Sequence, residues 1–204
     1  MGAPSVDIAI VQGKTFEFVY RYADSELVYL PIEAMLTAAP VRLRVTAHGI
    51  PDGWPIRIEG VKSPAELNSV SDDCEFHFFA SVVDSDTIEL NQVNASSWRA
   101  YGGGGAVVFH KPYDLSGHSA RMQVRDRVGG AILLNIASDP LSSPDGLIDV
   151  DIELAALVVK ISPATTAAIG WKVGVYDLEV VAPSGDVYPI TSVSQVNVTP
   201  EVTK

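Results

Sequence analysis

Among 204 residues there is a single cysteine, Cys74. One thiol can neither close an intramolecular disulfide nor build a cysteine-based zinc site, so stability has to come from burial and hydrogen bonding. Charge is also scarce: only 19% of residues are charged, and 14 basic residues stand against 25 acidic ones. The net charge of -11 argues against nucleic acid as a partner, because a phosphate backbone is held by clustered Lys and Arg. No stretch approaches the roughly 18 consecutive apolar residues of a membrane helix. The first residues carry no basic segment followed by an apolar run, so the sequence predicts no signal peptide, no membrane span and synthesis in a cytoplasm. The Met-Gly start lacks the myristoylation pattern, since Val6 stands where Ser or Thr is required.

What the chain does contain is apolar residues, 47% of the total, arranged as short β-type runs. Residues 6–11 and 15–22 alternate around a hairpin-type break at Gln12, Gly13 and Lys14. From Met35 onward short strands are predicted at 41–45, 56–58, 76–82, 87–90 and 106–109, with turn signals recurring at the spacing of small barrels and sandwiches. Beyond Pro112 the texture changes to strands at 118–125, 131–136 and 148–154. A hairpin follows, from 174–181 to 186–190 around Ala182-Pro183-Ser184-Gly185, with a last strand from about Ser194 to Val198. Only 163–169 reads as helix, with Ser162 as cap and Pro163 at the first helical position.

Several constellations invite a chemical reading. The run Gly102 to Gly105 is not a phosphate loop: no Lys or Ser/Thr follows it, and the strand-like 106–109 takes the place of a helix. It reads as a turn or bulge. Asp149, Asp151 and Glu153 would share one face of a strand, but alternate side chains on a straight strand spread roughly 6.5–7 Å apart, which suits a solvated face better than a cation cage. Asp72, Asp73 and Glu75, like Asp84 and Asp86, sit in turn contexts where carboxylates accept backbone hydrogen bonds. His48, His77, His110 and His118 have no ligand spacing, and no nucleophile elbow is present, although the members of a catalytic triad meet in space rather than in sequence. Cys74 lies between two acids that would raise its pKa. Trp54, Trp98 and Trp171 fit β cores better than a sugar platform. No catalytic, cofactor-binding or metal-binding residue is assigned.

One resemblance is more specific. Residues 112–125 (PYDLSGHSARMQVR) resemble the DLTGYTARMQIR strand of a family of small tailed-phage virion proteins. The elements that follow it in that family appear here in order: TTAAI at 165–169, VYDLEV at 175–180, PSGDV at 183–187 and VNVTPEVTK at 196–204. The likeness spans roughly 5–33 and 112–204. The stretches 56–61, 66–68, 83–90, 93–98 and 101–103 are similar to a small β module of phage tail proteins, itself likened in shape to a half-domain of ubiquitin-activating enzymes.

The resemblance implies an all-β protein: a β-sandwich-like, immunoglobulin-like domain formed by 1–33 and 112–204, interrupted by a small barrel-like module at 34–111. It implies a structural, non-enzymatic component of a tailed-phage tail or baseplate, without cofactor. Its partners would be other virion proteins, of the tail tube, hub, baseplate or sheath, bound in multiple symmetric copies, with no nucleic acid and no membrane. A host-glycan-binding module of the tail tip is the alternative, and a hydrolase a third.

Overall fold

A computed structural model describes residues 3–69 and 78–202. The fold is all-β, with one short α-helix among the described residues, and the chain divides into two compact units: Met1–Tyr22 with Asp114–Lys204, and Ala23–Tyr113. The expected boundary at 33/34 moves to 22/23, and that at 111/112 to 113/114. The cause is β3 (Ala23–Pro31), whose polar start, Asp24-Ser25-Glu26, hides its strand character. It pairs antiparallel with β9 (Gly104–Pro112) around a bulge between Ala23 and Leu27 and so belongs to the inserted unit.

In the flanking unit the strands are β1 (Ile8–Val11), β2 (Phe16–Arg21), β10 (Ser119–Arg125), β11 (Ile132–Ala137), β12 (Leu147–Asp151), β13 (Ala156–Ile161), β14 (Val173–Val181), β15 (Val187–Pro189) and β16 (Ser194–Thr199). They run in the order β1-β16-β14-β10-β11-β12-β13-β2, with β15 paired to β14. The hairpin expected of the first two strands does not form. β1 pairs in parallel with β16 and β2 antiparallel with β13, at opposite ends of the path. The sheet nearly parts between β11 and β12, which share the single bridge Ala137↔Leu147. The loop at 138–146 takes over the strand's role there: Asp145 and Ser143 side chains accept from the Asn135 and Ala137 amides, both at 2.7 Å.

The two parts of this curled sheet face one another as sandwich layers do. Tyr20 on β2 and Tyr176 on β14 meet hydroxyl to hydroxyl at 2.6 Å in the interior. Alternation explains the core: in β10 the apolar Ala120, Met122 and Val124 are buried while Arg121 points outward, the period-2 pattern of a strand with one wet face. The helix α1 (Pro163–Ala167) forms where expected, with Ser162 Oγ accepting from the Thr165 amide at 3.1 Å.

The inserted unit holds β3, β4 (Ala34–Ala38), β5 (Val41–Arg44), β6 (Trp54–Val61), β7 (Phe78–Asp84), β8 (Thr87–Leu90) and β9, ordered β3-β9-β6-β7-β8-β5-β4. Its two edge strands are consecutive in the chain, so the sheet curls into a nearly closed barrel. The connecting dipeptide continues the ladder beside each edge: the Ile32 amide donates to Gly105 O of β9 and the Glu33 amide to Arg44 O of β5, each at 3.0 Å. Trp54, Ile56 and Ile58 of β6 and Val107 and Phe109 of β9 are buried inside, each such side chain contributing roughly 1.5–3 kcal/mol.

Candidate functional site

The residues singled out in the sequence are mostly engaged in local structure. The glycine run lies where β9 starts beside the end of β6, with Gly104 opposite Val61. Gly103, Gly104 and Gly105 all have positive φ, at 86°, 80° and 91°. A Cβ on Gly105 would overlap the Val61 methyl Cγ2 and come within 3.1 Å of Val61 N and 3.2 Å of Glu59 O. The Tyr101 hydroxyl reaches Ile32 O (2.9 Å) and Gly104 O (2.7 Å), binding the run to the β3–β4 connection. The glycines thus permit a close strand approach at the point where the barrel closes.

The three carboxylates expected on one strand face separate. β12 ends at Asp151, whose Oδ1 accepts from the Leu154 amide at 2.9 Å, and 152–155 turn away through Ala155 at φ 47°. Glu153 therefore leaves the strand, and Ile152, expected inside, is 54% exposed. Carboxylate turn chemistry outcompetes the alternating pattern here.

Asp84 and Asp86 cap a turn. The Asp86 amide, donating to Asp84 Oδ1 at 2.9 Å, holds the Asp84 carboxyl below its usual range, while Asp86 Oδ1 accepts from the Ala47 amide. His48 is buried beside them, its Nδ1 accepting from the Ile50 amide (3.0 Å) and its Nε2 donating to Asp84 O (2.8 Å). His118 Nδ1 lies 3.1 Å from Ser116 O in the turn before β10. In the same turn the Ser116 hydroxyl and amide lower the Asp114 pKa. His110 sits on β9, and its carbonyl accepts the Trp54 indole N–H at 2.9 Å, which makes Trp54 a core residue. Trp98 and Trp171 are half-buried. Asp72, Asp73, Cys74, Glu75 and His77 lie outside the described residues. Among the described residues no three His, Cys, Asp or Glu side chains are grouped to hold a metal ion.

The concavity with convergent polar groups lies elsewhere, on the outer face of the flanking unit. A cavity of about 390 Å³ is lined by Arg121, Gln123 and Arg125 of β10, Val175, Asp177 and Glu179 of β14, Val128 and Gly129 of the hairpin after β10, and Val193. It forms because β14 changes partner. β15 covers Glu179 to Val181, β16 covers Val173 to Tyr176, and the chain between them bulges past Leu178, whose amide donates to Thr191 Oγ1 at 3.0 Å. That bulge makes one wall, and the hairpin at 126–130 makes the other.

Across the floor runs a fixed polar network. Arg121 Nε donates to Glu179 at 2.7 Å. Arg125 donates to Gly130 O (2.6 Å) and to Gln123 Oε1 (2.8 Å), and Gln123 Nε2 donates to Asn135 Oδ1 (3.1 Å). The signal for these residues was present as alternation in each strand, with Arg121, Gln123 and Arg125 opposite Met122 and Val124. The antiparallel register that sets Arg121 against Glu179 and Gln123 against Asp177 is a long-range pairing that neither segment reveals alone.

Compared with known protein families the chain matches none, and no curated protein matches it either.

Proposed function

We propose that the protein is a structural component of a tailed-phage virion, of the tail or baseplate, acting through protein–protein contacts in multiple symmetric copies. The observation that carries this reading is where the motif-bearing segments go. The strand of 112–125 is β10, VYDLEV lies on β14, PSG forms the β14–β15 turn, and VNVT lies on β16. Segments far apart in the chain become neighbours in one layer, and the outward residues of two of them, β10 and β14, line the cavity described above. A shared sequence pattern that also maps onto one continuous face suits a face used in assembly.

Strand edges offer a second mode of contact. β1, β2 and β15 each have one hydrogen-bonded neighbour in the flanking unit, as do β3 and β4 in the inserted unit, and an open edge can accept a strand from another chain. The role involves no catalytic step and no cofactor. Its partners are tube, hub, baseplate or sheath proteins. Peptide mass spectrometry and a reconstruction of purified tailed particles from a host carrying the gene test the reading. The chain is expected in the tail at a fixed stoichiometry, and particles that lack it overturn the proposal.

A further inference from the structure

Two charges facing the outer cavity of the flanking unit have no counterion among the described residues. Arg121 is neutralised by Glu179, whereas among the described residues the Arg125 guanidinium donates only to neutral acceptors, Gly130 O and Gln123 Oε1. The Asp177 carboxylate is exposed and has no hydrogen-bond or ion-pair partner among the described residues. Arg125 stands opposite Val175, and Gln123 opposite Asp177. Arg125 and Asp177 are therefore diagonal neighbours across two strands, roughly 7–8 Å apart. An uncompensated cation and an uncompensated anion share one concavity.

The guanidinium is held by its two bonds, and Gln123 is held in turn by Asn135 at 3.1 Å. This wall is ordered before any ligand arrives, so little side-chain entropy is lost there on binding. Between and beside the charges, Val128, Val175 and Val193 supply apolar contact, with Val128 72% and Val193 51% exposed. A volume of about 390 Å³ is at the small end of ligand sites and takes a fragment of about two residues' size.

We propose that this cavity binds a peptide-like dipolar ligand, with its carboxylate on Arg125, its cation on Asp177 and a short apolar stretch against the valines. The chemistry has two sources: a free zwitterionic dipeptide, or an internal segment of another chain that carries a basic and an acidic side chain around an apolar residue. The inference goes beyond the virion reading and does not depend on it.

Amide NMR titration of the whole chain separates the sources, using L-alanyl-L-valine, a capped Lys-Val-Glu peptide and a capped Ala-Val with both charges removed. The expected result is saturable shifts at Gln123, Asp177 and Val193 with at least one of the first two probes and none with the third. Asp177→Asn and Arg125→Gln should each weaken binding about tenfold, the effect of losing one charge-assisted bond. Arg125→Lys, which keeps the charge, guards against a loss caused by misfolding and should retain part of the affinity, with melting temperatures checked for all three variants. Shifts with neither charged probe at millimolar concentration, equal shifts with capped Ala-Val, or affinity unaltered in both charge-removing variants would each overturn the proposal. A chain found in the virion whose cavity binds neither probe would sink this inference and leave the assembly reading standing.

Discussion

The two units solve the same problem by different means. In each, the strands at the two ends of the sheet are consecutive in the chain: β1 and β2 in the flanking unit, β3 and β4 in the inserted one. In the inserted unit the connection is two residues long, and its own amides bond to the strands beside the two edges, β9 and β5. In the flanking unit the connection at 12–15 has main-chain bonds too, from the Gln12 amide to Thr199 O and the Lys14 amide to Val11 O, but side chains add three more restraints: Gln12 Nε2 donates to Ile169 O, Thr166 Oγ1 donates to Lys14 O, and Lys14 pairs with Glu201. Where a connection continues the ladders through its main chain, the vulnerable positions are those that constrain backbone. Where side chains share the restraint, they are vulnerable positions as well, and the damage from losing any one is smaller.

Gly105→Ala is therefore the sharpest way to break the inserted unit. The alanine would have to adopt φ 91° and lodge its methyl against Val61 and the Glu59 carbonyl, an expected loss of roughly 2–4 kcal/mol from backbone strain and overpacking together. Gly103→Ala shares the positive φ, at 86°, but has open space around its Cβ, so only the conformational cost of about 1–2 kcal/mol remains. Urea denaturation followed by tryptophan fluorescence measures both. Equal losses would mean that the close strand approach is not what the run is for.

In the flanking unit the counterpart is the hydroxyl pair. Tyr176 OH donates to Val6 O at 2.5 Å, which leaves Tyr20 OH as donor to Tyr176. Tyr176→Phe strips two buried groups of their partner and should cost about 2–3 kcal/mol, whereas Tyr20→Phe leaves the bond to Val6 intact and should cost about 1 kcal/mol. Burial raises the pKa of both tyrosines, and Tyr20, which also donates to Tyr176, is pushed well above its ordinary value. The folded state holds these protons more tightly than the unfolded chain. Stability is then complete below about pH 10 and falls as pH rises beyond it, by up to about 1.4 kcal/mol per pH unit for each tyrosine. Alkaline melting curves that are as steep in the Tyr20→Phe, Tyr176→Phe double variant as in the parent would disprove this linkage.

Legibility in the sequence follows the range of the forces. The helix at 163–167 could be read because its cap, Ser162, and its proline lie next to it, and the β14–β15 hairpin because its turn is local. The pairing of β1 and β2 could not, because a turn at 12–15 looks the same whether the strands it joins meet or part. Their true partners, β16 and β13, are selected by core burial across the whole unit. β3 was missed because three polar residues at its bulge mask the pattern, and Glu153 was misplaced because the Asp151 side chain captures a backbone amide. The cavity is the extreme case: its charged side chains all belong to ordinary alternating strands, and only the long-range register turns them into a site.

Smaller effects should appear at the helix that braces the 12–15 connection. Ser162→Ala removes the cap of α1 and should cost about 1 kcal/mol. Thr166→Val, at a fully buried position, leaves the Lys14 carbonyl without its donor and should cost about the same. Thermal melts monitored by Trp171 fluorescence would register both. Two independent losses that sum in the double variant would argue that cap and brace act separately, and a sum well short of that would mean that the helix already fails when either goes.

The weakest of the three restraints is the ion pair. Lys14 Nζ lies 2.7 Å from Glu201, but the two side chains are 58% and 27% exposed, so water and salt screen the attraction and two long side chains must be immobilised to keep it. Lys14→Gln should change stability by less than about 0.5 kcal/mol, and the difference should vanish in high salt. The backbone of residue 14 would still accept from Thr166 in that variant, since a carbonyl is indifferent to its own side chain. A loss above 1 kcal/mol that survives high salt would show that charge rather than the Thr166 hydroxyl fixes the connection, and the contrast between the two units would then be one of electrostatics against backbone geometry.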